Sequence, residues 1–208
     1  MQGLAHDFHQ DIPMQCSSFI ATSLDGFIAK TDGSLDWLNA ANATVPEGED
    51  CGYAQYMAGV DVILMGRKTF ETVLSFGAWP YDKPVYVLSR QWNALPAGAP
   101  ATAQLWKGSL PALSAHLAAS GVRAAYVDGG QLIQSFINAQ LLDAITITRI
   151  PVLLGSGLPL FGPLADGCST VAAQHLQTRS YDFGFVQSDY RLHYAAAGQS
   201  QDDTQVEI

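Results

Sequence analysis

The stretch that most constrains the fold is Val127-Asp128-Gly129-Gly130-Gln131, where an apolar strand at Ala124–Val127 hands over to an amphipathic helix at Leu132–Leu141. Two adjacent glycines let the chain turn sharply and leave the first helical N–H groups bare. Such a turn is either a tight corner or a seat for an anion, since bare amides and the helix dipole both favour negative charge there. A second strand-to-helix glycine turn lies upstream at Met65-Gly66-Arg67-Lys68-Thr69-Phe70-Glu71, after a strand at Val60–Met65. Two such turns, one of them carrying Arg67, Lys68 and Thr69, point to one ligand with several phosphates.

Around these turns, strands and helices alternate. Short apolar runs predict strands at Cys16–Ser23, Phe27–Ala29, Pro84–Ser89, Ala101–Trp106 and Ala144–Val152. Helical spacing predicts helices at Cys51–Ala58, Lys68–Leu74 and Leu110–Ser120. Two late strands around Ser169–Arg179 and Phe183–Tyr194, joined through Ser180-Tyr181-Asp182, read as an antiparallel hairpin. The expected class is α/β: a mostly parallel sheet with helices on both faces and the hairpin appended at one edge. In such sheets ligands bind beyond the carboxyl ends of the strands, where both glycine turns lie. Residues 1–13 and 196–208 have little to bury and are expected to be disordered, which leaves one domain over 14–195.

At 208 residues and 48% hydrophobic content, the chain can bury the core of one domain. A formal net charge of -9 with only 10 lysines and arginines argues against nucleic acid or an anionic membrane as partner. Cys16, Cys51 and Cys168 are odd in number and widely spaced, and they suggest neither a disulfide framework nor a zinc site, so the expected compartment is a reducing cytoplasm. His175 and His193 have no metal-ligand spacing, and no metal is expected. The first 15 residues are polar, with His6, Asp7, His9 and Asp11, and no apolar run reaches membrane-spanning length, so neither a signal peptide nor a membrane anchor is expected.

A third candidate lies at Val85-Tyr86-Val87-Leu88-Ser89-Arg90, a buried strand ending in a hydroxyl and a guanidinium. Ser89 and Arg90 are either a turn cap and a solvated cation or the grip on a phosphate monoester such as the 2′-phosphate of NADP. The first strand is followed by Ala21-Thr22-Ser23-Leu24-Asp25-Gly26, so the Gly-x-Gly-x-x-Gly fingerprint of ordinary dinucleotide folds is absent.

Six segments in order resemble the dihydrofolate reductase superfamily, and within it the branch related to the carboxy-terminal reductase domain of the bacterial riboflavin-biosynthesis deaminase-reductase. They are Ser23-Leu24-Asp25-Gly26-Phe27-Ile28-Ala29, Asp32-Gly33-Ser34-Leu35-Asp36-Trp37-Leu38, Gly66-Arg67-Lys68-Thr69-Phe70-Glu71, Leu88-Ser89-Arg90, Val127-Asp128-Gly129-Gly130, and Pro151 to Phe161. The resemblance implies an NADPH-dependent reductase with an eight- or nine-stranded sheet. By position, Gly66, Arg67, Lys68 and Thr69 would hold the pyrophosphate and adenosine phosphate, and Ser89 with Arg90 would complete the 2′-phosphate site. Gly129 and Gly130, followed by Gln131 and Leu132, would pack against the pyrophosphate and nicotinamide half. Ala21 and the loop from Asp25 to Asp36, including Gly26, would lie along the nicotinamide, the loop acting as a mobile lid. Arg67 and Arg90 are expected to set a preference for NADPH over NADH. Gly129→Val is expected to abolish cofactor binding with the fold intact.

On the substrate side, true dihydrofolate reductases carry a carboxylate on the helix after the loop tryptophan, but here Trp37 is followed by Leu38-Asn39-Ala40-Ala41-Asn42. The catalytic candidates are therefore Asp36, as an acid or a mere surface carboxylate, and Trp37, as a stacking surface or a core residue. Asp128 is read as a helix cap rather than a catalyst. Pro159-Leu160-Phe161 is read as near the pocket or at a homodimer contact. The expected function is hydride transfer to a planar nitrogen heterocycle, pterin-like or ribosylaminopyrimidine-like. The alternatives are a nucleotide-binding or regulatory protein of the same fold without turnover, and a phosphate-dependent transferase, which is disfavoured because no Walker-type loop exists.

Overall fold

A computed structural model describes residues 14–166 and 168–194; the expectations for residues 1–13 and 196–208 lie outside them. The chain runs β1 (Gln15–Ser23), β2 (Phe27–Ala29), α1 (Asp36–Asn42), α2 (Tyr53–Ala58), β3 (Val62–Gly66), α3 (Arg67–Ser75), β4 (Val85–Leu88) and β5 (Ala103–Trp106). It continues with α4 (Leu110–Ala119), β6 (Ala124–Asp128), α5 (Gly130–Asn138), β7 (Ala144–Ile150), β8 (Leu158–Pro159), β9 (Ala172–Ser180) and β10 (Val186–His193). Eight strands form one sheet in the order β5-β4-β3-β6-β1-β7-β10-β9, and β2 pairs with β8 separately. The strands from β5 to β7 are parallel, and β10 and β9 add antiparallel at the edge.

Each element follows from local chemistry. β3 reads Val62-Ile63-Leu64-Met65, all buried, the continuous apolar run expected of a central parallel strand covered on both faces. α5 buries Leu132, Ile133, Phe136 and Ile137 on one stripe, while Gln131 and Ser135 face outward. α4 starts at Ser109, whose side chain accepts from Ala112 N at 3.3 Å, with Pro111 in its first turn. Pro151 has no N–H to continue the ladder, so β7 stops at Ile150 and not at Val152 as expected. Two elements, α1 and β8, were not anticipated. α1 is a seven-residue helix with an Ala- and Asn-rich sequence and only Trp37 buried, too little of a stripe to read by periodicity.

One face of the sheet carries α4 and α5 over Val62, Leu64, Val127, Ile145 and Ile147. The other carries α2 and α3 over Ile63, Met65, Val87 and Tyr126. Strand order decides where the site lies. From β3 the chain winds outward to β5, then returns to insert β6 between β3 and β1, and leaves again to β7 on the far side. β6 and β1 are thus the strands at which the winding direction reverses, where open α/β sheets form a crevice. Among the described residues, no helix is long and apolar enough to cross a membrane.

Candidate functional site

The crevice is visible in the strand pairing. β1 pairs with β6 only up to Ser17 opposite Tyr126, yet runs on to Ser23 alongside β7. Beyond Ser17 the two strands part, and the upper half of β1, with Phe19 and Ala21, flanks the Asp128-Gly129-Gly130 turn across a gap. Tyr126 reaches into that gap and donates its hydroxyl proton to Phe19 O at 3.1 Å.

The two glycine turns meet at this rim. Gly129 caps α5 with φ 96, in the region that disfavours side chains, and a Cβ there would collide with Thr69 Oγ1 at the first turn of α3. Gly130 is buried, and a Cβ on it would collide with Ile28 Cδ1. Gly66, the cap of α3, differs from both. Its φ of -77 suits any residue, and nothing lies within 4 Å of where its Cβ would be. The protein itself does not need a glycine at 66; the space beside it is open. α3 begins there with Arg67 and Lys68 and no acid in its first turn, so its dipole faces the rim uncompensated. Arg67 itself leans on Glu71 one turn on, Nη1 to Oε1 3.4 Å.

A cavity of about 320 Å³ lies further along the same rim, lined by Ser89, Arg90, Trp106, Lys107, Ser109 and Leu132 among others. β4 pairs with β5 in register, Leu88 opposite Trp106, so the residues that follow each strand, Ser89-Arg90 and Lys107-Gly108-Ser109, emerge side by side. The N-terminus of α4, with Ser109 as cap and no acid in its first turn, adds a third source of positive potential. Ser89 Oγ accepts from Gln91 N and Trp92 N, both at 3.2 Å, which leaves its hydroxyl proton free to donate. The Trp106 indole lies flat over Gly108 and stacks on His116 with ring centroids 5.3 Å apart. Two cations, two hydroxyls and an aromatic plane in one pocket suit a phosphorylated nucleoside. Of the expected cofactor residues, Ser89, Arg90 and Leu132 line this cavity, Thr69 abuts Gly129, and Arg67, Lys68 and Gln131 do not line it. Lys107, Trp106 and Ser109 were missed, because only the β4–β5 pairing sets them beside Arg90.

Asp128 lies at the mouth of the crevice. It is half-buried, and burial pushes its carboxyl up to about 6, against weaker opposition from the Tyr126 phenol, the Gly129 amide and the Tyr81 phenol. The reading of Asp128 as a cap is corrected here: the cap position of α5 is Gly129, and no side chain caps it. Tyrosines crowd round. Tyr56 meets Tyr126 edge-on at 5.4 Å and Phe19 at 5.1 Å, Tyr53 meets Phe19 at 5.5 Å, and Tyr81 meets Trp79 at 5.3 Å. The Asp128 charge in turn raises the Tyr53, Tyr56 and Tyr81 hydroxyls, after burial, the larger cause. This carboxyl binds its proton more tightly folded than unfolded, so it weakens the fold as pH climbs from 3.8 past about 6. Asp128→Asn removes that penalty. It should raise stability by about 1–2 kcal/mol above the folded-state value, allowing for residual hydration, and by nothing below the unfolded one. Thermal unfolding at the two pH extremes checks this: a rise of roughly 2–8 °C on the alkaline side alone.

The sequence matches the model of the RibD C-terminal domain over residues 16–184. The chain belongs to that family. It is 37% identical over 157 residues to the uncharacterized protein YwjB of Bacillus subtilis, which spans 71% of this chain and 83% of that one. Its fold resembles that of a putative riboflavin biosynthesis protein from Shewanella sp. PV-4, with TM-score 0.81 and 41% identity over 87% of this chain and 100% of that chain. It also shares the fold of the Thermotoga maritima diaminohydroxyphosphoribosylaminopyrimidine deaminase/5-amino-6-(5-phosphoribosylamino)uracil reductase, with TM-score 0.62 and 14% identity over 86% of this chain and 56% of that one. The RibD C-terminal fold is reductase-like, and the eight-stranded sheet falls within the expected eight or nine.

Within this RibD-type domain, of the two readings left open for each catalytic candidate, the structure favours the surface carboxylate for Asp36 and the core residue for Trp37. Asp36 is exposed and ion-paired, Lys30 Nζ to Oδ2 2.7 Å, and Lys30 together with the Trp37 amide holds its carboxyl below the usual range. It is a surface carboxylate that keeps no proton to give near neutral pH. Trp37 is 7% exposed and packs with Cys51, Ile150 and Phe185, so it is a core residue and offers no stacking face. Its Nε1 is buried without a partner; Ala21 is packed against the same cluster. The Asp25–Asp36 loop is also better tied than a free lid. Asp25 accepts from Gly155 N at 2.7 Å and from Ser23 Oγ at 2.6 Å, Gly26 O accepts from Leu160 N at 3.0 Å, and β2 pairs with β8. In the expected contact segment, Leu160 is buried while Phe161 is 53% exposed and borders a separate apolar cavity beyond α5.

Proposed function

We propose that this RibD-type domain is an NADPH-dependent reductase that delivers a hydride to a planar nitrogen heterocycle, pterin-like or ribosylaminopyrimidine-like. The observation that carries the reading is the continuity of the rim. The Arg90–Lys107 cavity, the open space at Gly66 and the Gly129–Thr69 contact lie in a line that ends at the β1–β6 crevice. The residues present fit the cofactor. Arg90, Lys107, Ser89 and Ser109 would take the 2′-phosphate, with Trp106 against the adenine. The α3 and α5 N-termini would take the pyrophosphate, and Ala21 would border the nicotinamide. When bound, NADPH supplies the hydride. The chain's own part is to orient the acceptor ring and to hold a proton nearby, and the Asp128 carboxyl, poised at about 6, is the group at the crevice suited to that.

A second reading has a specific observation behind it: Asp36 is spent in an ion pair and Trp37 is closed into the core, which fits a nucleotide-binding protein without turnover. One experiment separates the two. Fluorescence titration with NADPH and NADH should show saturable binding with NADPH the tighter. Loss of NADPH absorbance with a panel of pterins and aminopyrimidines should then show turnover. Binding without turnover would favour the second reading, and no binding of either nucleotide would end both.

A further inference from the structure

The outer strand of the hairpin is bare. β9 is the edge strand of the sheet, each of its nine residues is exposed, and among the described residues β10 is the one strand that pairs with it. Its outer row of backbone N–H and C=O groups is open to another chain. Edge strands that stay single are commonly guarded by lysine or proline, and Ala172–Ser180 has neither. The register against β10 slips once, between Asp189 and Tyr190, which leaves Leu176 as the extra residue, 47% exposed.

Between this hairpin and α5 lies an apolar cavity of about 330 Å³, lined by Ile137, Phe161, Leu164, Val171, Ala173 and Leu192 among others. Ala173 and Leu192 stand opposite each other in the β9–β10 register, so the cavity opens on one face of the hairpin. Phe161 borders it and is 53% exposed, yet its loop is tied down on both flanks. On one side Leu160 is buried, and Gln134 Nε2 donates to Pro159 O at 3.2 Å and to Leu160 O at 3.1 Å. On the other, Asn138 Nδ2 donates to Pro163 O at 3.3 Å, and Asn138 Oδ1 accepts from Ala165 N at 3.0 Å. α5 thus fixes an exposed phenyl ring beside an apolar hollow. A loop already ordered in this way gives up little conformational entropy when a partner covers it.

We propose that a second copy of this chain covers this surface on a two-fold axis, with the Phe161 loop of each copy seated against the cavity and hairpin face of the other. A two-fold interface joins one patch to itself, so the patch must offer a projection and a recess together, and Phe161 and the cavity are such a pair. Charge selects the same partner. With 19 acidic residues against 10 basic, two copies repel over most of their surface. β9 has nine residues and the cavity lining ten, Ala173 being common to both, and none of these 18 is Asp or Glu. Arg179 is the one Lys or Arg among them, and it donates to the Tyr181 hydroxyl at 3.4 Å. A strongly charged partner would find no counter-charge here, whereas a like-charged copy meets no carboxylate. The patch is also close to the roughly 20 residues that a standard interface uses on each side.

Sedimentation velocity of the full chain without nucleotide, from about 1 to about 100 μM, tests it. The parent is expected to be a dimer over most of that range. Phe161→Asp and Leu176→Asp should each raise the dimer dissociation constant at least about thirtyfold, as loss of a central apolar anchor does. Phe76→Asp is the control: Phe76 follows α3, is 62% exposed and lies outside the patch, so the constant should stay within about twofold of the parent's. All three positions are exposed, and circular dichroism of each variant checks that it is folded. Should one patch variant fail to fold, the other decides. A parent chain that stays monomeric at about 100 μM, or a dimer that a folded Phe161→Asp or Leu176→Asp leaves intact, overturns the proposal. Mass is read with no nucleotide present, so the outcome is independent of the reductase reading.

Discussion

A Gly129→Val variant is expected to melt roughly 5–15 °C below the parent chain as well as to lose NADPH. Valine at φ 96 costs on the order of 1–2 kcal/mol, and its branched side chain must also displace Thr69, at about 1–3 kcal/mol more. The structure therefore revises the expectation that this substitution spares the fold. The glycine is demanded first by the protein, because the α5 cap touches the first turn of α3. Gly66→Val is the cleaner probe of a phosphate's approach. Its backbone tolerates valine and its surroundings are empty, so the melting temperature should stay within roughly 4 °C while NADPH affinity falls steeply. Thermal unfolding paired with an NADPH titration reads both. If Gly66→Val bound NADPH as tightly as the parent, no phosphate would lie beside that turn.

Removing Arg90 and Lys107 together, both to alanine, is expected to lower the preference for NADPH over NADH by at least about thirtyfold. Each charge-assisted hydrogen bond to a phosphate monoester is worth about 1.5–3 kcal/mol, and NADH has no such group to lose contact with. Arg67→Ala serves as the contrast. Arg67 does not line the cavity and leans on Glu71, so its loss should weaken both nucleotides alike, in contrast to the joint role expected for it beside Arg90. Dissociation constants for the two nucleotides across the three proteins decide the matter; a uniform loss in the double variant would move the 2′-phosphate elsewhere.

Much of this arrangement could be read from the chain because it depends on neighbours in sequence. The buried run Val62-Ile63-Leu64-Met65 makes a central strand whatever surrounds it, and a glycine directly after it makes a helix start. The same holds for Ala125-Tyr126-Val127 with Gly129-Gly130, so the anion-binding turns were visible before any tertiary contact. α1 escaped notice because one buried tryptophan in seven residues leaves no period to detect. For Trp37 and Asp36 the chain order leaves two readings each, for a related reason. An indole beside a carboxylate looks the same in sequence whether it faces a ligand or a core, and Ile150 and Phe185, which close over Trp37, come from more than a hundred residues away.

What the amino-acid order determined by itself was the alternation of strand and helix, the α/β class, and the two bare helix starts, all products of short-range sterics and periodic burial. The folded molecule alone decided the chemistry at those starts. Lys107 joins Arg90 only because β5 lies against β4, and the Asp128 carboxyl is pushed up to about 6 only because the folded chain buries it. Potential and proton affinity are sums over whatever surrounds a group in space, and most of those surroundings are distant in the chain.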